Sequence, residues 1–115
     1  MDDPAEPLRE ASRAIAGYVN DAPDTLDPPT ARQVLYQLVR LLNGVGAAAQ
    51  RTRLSLSADN AYHENPNGDP VEQVNVAKMH LQQLADLLDD ETGHSAAHNH
   101  LRRALEELWP LGANR

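Results

Sequence analysis

Apolar residues recur at three- and four-residue spacing through nearly the whole chain, in four runs set apart by Pro-, Asp- and Gly-rich breaks. That spacing follows the 3.6-residue turn of an α-helix and not the two-residue period of a strand. Such a chain must fold as helices packed side by side. Residue choice agrees, because the apolar residues are mostly Leu and Ala, with one isoleucine (Ile15) and no Phe. A length of 115 residues suits one core and not two. The expected fold is all-α: a small antiparallel four-helix bundle with one long second helix, in a single domain over residues 1–115.

The breaks set the helix limits at approximately 4–20, 28–57, 69–91 and 95–109, with a polar connector over 58–68. In the first helix Leu8, Ala11, Ser12, Ile15, Tyr18 and Val19 share one face, which makes it a one-sided helix lying on the surface. Asp27 caps the second helix and Pro28 opens it, where a missing N–H costs nothing. Its core stripe runs Ala31, Val34, Leu35, Leu38, Leu41, Leu42, Val45, Ala49, Thr52 and Leu56. Gly44 and Gly46 interrupt it, so the helix either bends there or lets another backbone come close. Asp69, Pro70 and Glu72 form the strongest start signal, that of a capping box. Val74, Ala77, the stem of Lys78, Leu81, Leu84, Ala85 and Leu88 then face inward, and Thr92-Gly93 supplies the stop. The fourth helix begins near Ser95, turns Ala97, Leu101, Ala104, Leu105 and Leu108 inward, and ends at Trp109-Pro110. Arg102 with Glu106 and Arg103 with Glu107 are spaced to pair on its exposed side.

The absence of cysteine excludes disulfides, thiolate metal sites and thiol nucleophiles, and fits a cytoplasmic protein. The acidic start Met1-Asp2-Asp3-Pro4 is unlike a signal peptide, and no apolar run approaches the ~20 residues of a membrane span. Nine of ten basic residues are Arg, and Ala is abundant; GC-rich codons of a bacterial genome give this balance. The net charge of −7 disfavours nucleic acid and anionic membranes as partners. Charge is also segregated: residues 1–30 sum to −5, residues 31–57 to +4 without any acid, and residues 58–73 to −4.

Chemistry-bearing patterns are few. His94 and His98 stand four apart, with Asp90 four before His94 and His100 nearby, a spacing that can hold a metal on one helix face. Gly93 breaks that face, so the expectation is no metal and no cofactor. The acidic run Asp86, Asp89, Asp90 and Glu91 lacks a matching set on a facing helix and reads as a solvated helix end. Arg32, Arg40, Arg51 and Arg53, with Tyr36 the one aromatic among them and no recognisable helix-turn-helix, read as partners for acids. No nucleophile elbow, phosphate loop or dinucleotide fingerprint occurs, so no catalytic residue is expected.

The remaining feature is a second stripe on the long helix, opposite its core face: Tyr36, Arg40, Gly44, Ala47, Arg51 and Leu54. Val76, Met79 and Leu87 make a similar outer set on the third helix. Tyr and Arg beside small residues is the composition of interface anchors. The expected function is therefore a non-enzymatic helical protein–protein interaction module, one that self-associates as a homodimer. A nucleic-acid-associated regulator and a metal- or ligand-binding bundle are the alternatives.

Overall fold

The computed structural model describes residues 3–59, 68–89 and 95–112. It is all-α, with four helices that hold 77% of the described residues and no strand among them. They are α1 (Glu6–Asp21), α2 (Pro28–Ser55), α3 (Pro70–Leu87) and α4 (Ala96–Leu108). The start signals work as side-chain caps. Asp27 accepts from Thr30 N–H at 2.8 Å, Asp69 from Val71 N–H at 3.0 Å, and Ser95 Oγ from His98 N–H at 3.3 Å. Ala5, at the start of α1, makes no such bond; its own N–H donates to Asp3 at 2.9 Å.

The helix ends differ from expectation by a few residues. α3 stops at Leu87, and its last turn tightens as Asp89 N–H donates to Asp86 C=O at 3.2 Å. The stop expected at Thr92-Gly93 lies outside the described residues. α2 stops at Ser55, where the Lys78 ammonium donates to Leu56 C=O at 3.1 Å and meets the negative end of the helix dipole. Through Gly44 and Gly46 α2 continues without interruption.

Close helix packing joins α2 to α3 and α2 to α4. Lys78 sits at the end of α2, while Leu88 lies against Gly46 in its middle. His98 bonds to Asn43, and Trp109 to Arg32 near the start of α2. Both shorter helices thus run antiparallel to α2 and share its length end to end, α3 on the C-terminal half and α4 on the N-terminal half. Gly46 makes the junction possible: a Cβ there would lie 3.2 Å from Leu88 Cβ, whereas Gly44 has nothing within 4 Å.

The C-terminal half of α2 meets α3 alone, and at its N-terminal half α1 stands off across a groove while α4 packs, so these helices enclose little core. Ala49 is the one buried apolar side chain among the described residues, and the stripe expected on one face of α1 is uncovered, with Leu8 58% and Val19 70% exposed. The radius of gyration is 19.1 Å, against ~13 Å for a compact chain of this length.

Candidate interaction surface

The long helix carries two adjacent heptad seams. One, through Arg32, Leu35, Val39, Leu42, Gly46, Ala49, Arg53 and Leu56, is wholly buried or half-buried and faces α3 and α4. The other, through Val34, Leu38, Leu41, Val45, Ala48 and Thr52, lies ~100° around the helix and is mostly exposed. The sequence places Leu38, Leu41 and Val45 in the core; they are 38–50% exposed because no helix among the described residues packs closely on that side. The single stripe read from the sequence is therefore two stripes, each wide enough for its own partner.

Beside the second seam stands α1. Ala11, Ala14, Ile15 and Tyr18 line one wall of a groove of about 460 Å³, and Val34, Gln37, Leu38 and Leu41 line the other. The Gln37 amide and the Tyr18 hydroxyl are the only polar side-chain groups among those eight residues. The first two helices form a splayed hairpin whose apolar interior is open to solvent.

All six residues of the expected outer stripe, Tyr36, Arg40, Gly44, Ala47, Arg51 and Leu54, are exposed along α2. Ala47 also borders a cleft of about 620 Å³ between α2 and α3, with Asn43, Gln50, Gln82, Asp86 and Asp89 among its lining. Of the four arginines of α2, Arg32 donates to Trp109 C=O at 2.7 Å and stacks 5.3 Å from its ring centroid, and Arg53 donates to Gln50 at 3.1 Å. None of the four forms an ion pair among the described residues; the pairs there join Arg9 and Arg13 to Asp3 and Glu6 at the start of α1. The expected Arg102–Glu106 and Arg103–Glu107 pairs are not among them, and Arg102 donates to Asn99 at 3.1 Å. Val76, Met79 and Leu87 of α3 are exposed, as expected for an outer set.

Among the described residues the one buried polar cluster is that of His98, which the sequence marks only by its spacing from His94 and not as a partner of Asn43. Asn43 Oδ1 can only accept, so His98 Nε2–H donates to it at 2.7 Å. Nδ1 then accepts from the Ser95 hydroxyl at 2.5 Å, and Ser95 Oγ in turn accepts from His98 N–H. Ser95 and His98 are each 1% exposed. With both ring nitrogens used, this imidazole ties the start of α4 to the middle of α2 and has no lone pair to offer a metal. Among the described residues no three His, Asp or Glu side chains converge; Asp90, Glu91 and His94 lie outside them. Likewise no helix among them is long and apolar enough to cross a membrane.

No known protein family, curated protein or solved structure matches the chain.

Proposed function

We propose that this protein is a non-enzymatic helical interaction module that completes its core by binding another protein surface, in the first place a second copy of itself. One observation carries the reading. The accessible surface is 9067 Å², whereas a compact monomer of this mass exposes ~6,200 Å². The uncovered surface includes apolar side chains at helical spacing along α1 and α2, the pattern of a helix awaiting a neighbour and not of a solvated face. Contiguous apolar faces of this kind are a mark of interaction sites on soluble proteins. The buried polar cluster supports the non-enzymatic part, since its one imidazole is sealed from solute. The same reading makes it a cytoplasmic bacterial protein, supported by the lack of cysteine and by the arginine-rich codon balance.

Association that completes a core makes stability depend on concentration. The melting temperature should rise by several degrees between about 1 and 100 µM, and light scattering should give a mass above the 12.6 kDa of one chain. A single-chain mass together with a constant melting temperature over that range would overturn the proposal.

A further inference from the structure

We infer that the open face of the α1–α2 hairpin is covered by the same hairpin of a second copy, forming an intermolecular four-helix bundle about a two-fold axis. The inference rests on the self-association proposed above and names the surface and its occupant.

Three features converge on a second copy. The first is length. The α1 seam, Leu8 to Val19, spans ~17 Å at 1.5 Å per residue, and the α2 seam, Val34 to Thr52, spans ~27 Å. Two hairpins can therefore set each α1 seam within the length of the partner's α2 seam, as a bundle layer requires. Both seams also repeat in heptads, the period that keeps facing helices in register. The second is charge. Residues 3–27 carry a net −4 and residues 28–55 a net +4 with no acid. A face that joins an acidic helix to a basic one is complementary to itself: a two-fold rotation sets each α1 against the partner's α2. Around such a bundle acidic and basic helices alternate, and like charges meet only across the diagonal. The third is area. The excess exposed surface is ~2,900 Å² per chain on the compact-monomer scaling, and a standard interface takes ~800 Å² from each partner. Covering the splayed hairpin uses a fraction of that excess.

The outer stripe of α2 fits less well. Gly44 has nothing near it, but Tyr36 and Leu54 stand apart among polar neighbours, and α1 contributes nothing there.

The test uses the full chain and three single substitutions, sized by sedimentation equilibrium from about 1 to 200 µM with helicity followed by circular dichroism. Leu41→Asp and Leu8→Asp place a charge in the proposed bundle interior, once per copy, and should raise the dimer dissociation constant about a hundredfold or more. Leu8 belongs to a helix that packs closely on neither α3 nor α4, so its replacement leaves the body folded and serves if Leu41→Asp loses helicity. Ala47→Glu, on the outer stripe, should leave the dimer unchanged. A wild-type dimer abolished by Ala47→Glu but not by Leu8→Asp overturns this inference and leaves self-association standing. A wild type that stays monomeric throughout overturns both.

Discussion

Gly44 and Gly46 are two residues apart on the same helix, yet alanine should act differently at the two sites. In the interior of a helix Gly is ~1 kcal/mol less favourable than Ala, because it loses more backbone freedom on folding. At Gly44 a Cβ meets nothing within 4 Å, so Gly44→Ala should gain most of that amount. With an unfolding entropy of ~2.1 cal/mol/K per residue, 1 kcal/mol corresponds to about 4 °C in melting temperature for 115 residues. At Gly46 the new methyl lies 3.2 Å from Leu88 Cβ and 3.7 Å from its carbonyl oxygen. Leu88 caps α3 and must yield by a few tenths of an ångström, against backbone as well as side chain. Overpacking of this sort costs ~1–3 kcal/mol, so Gly46→Ala should be neutral or destabilising. Thermal melts of both variants at one fixed protein concentration provide the measurement. A stabilisation by Gly46→Ala equal to that by Gly44→Ala would refute the close approach of α3 to α2. A loss of stability in Gly44→Ala would mean that another backbone covers Gly44, which would favour the outer stripe as the interface.

His98→Ala should cost about 2–4 kcal/mol in urea unfolding, from the lost burial and from leaving the Ser95 O–H without its acceptor. His98→Asn, which reproduces only part of the pairing, should fall between it and wild type. Arg32→Gln removes the stacked guanidinium and the bond to Trp109 C=O; because Trp109 is the only tryptophan, its emission should shift while the far-ultraviolet spectrum stays unchanged. Asp27 has its pKa held below the usual 3.8 by the Thr30 N–H and then by the Thr30 hydroxyl. A lowered folded pKa stabilises above the unfolded value and loses that contribution as pH falls through the folded one. Stability should therefore fall with acid below about pH 4, and Asp27→Asn should flatten part of that fall. An identical acid profile in Asp27→Asn would show that the cap is not among the causes.

Much of the fold is legible in the sequence because its signals are local. Asp27, Asp69 and Ser95 sit where a cap oxygen finds the first free N–H groups, and Pro28 and Pro70 follow where a proline does no harm. Which neighbour each face meets is not legible in this way. Leu35 and Leu38 are both apolar and three residues apart, yet Leu35 is half-buried on the seam that α4 covers whereas Leu38 faces the open groove. Periodicity assigns them to one broad stripe, since it counts apolar residues and not partners. Dividing that stripe into two heptads, one through Leu35 and Leu42 and the other through Leu38 and Val45, reveals room for two neighbours. His98 is opaque for a related reason: its partner Asn43 is 55 positions away, and nothing local marks either as half of a pair.

The end-to-end placement of α3 and α4 has a mechanical consequence. A spine splinted by two short struts is stiff along each strut and weak at the gap between them. Here the gap falls over residues 43–46 of α2, bridged by the Asn43–His98 bond on one side and the Leu88–Gly46 approach on the other. Bending at that joint must break one bridge or the other, so the two half-length hairpins should move as one body while both bridges hold. Amides of α2 around buried Gly46 should accordingly exchange with solvent more slowly than those around Arg53, close to the end of the helix at Ser55.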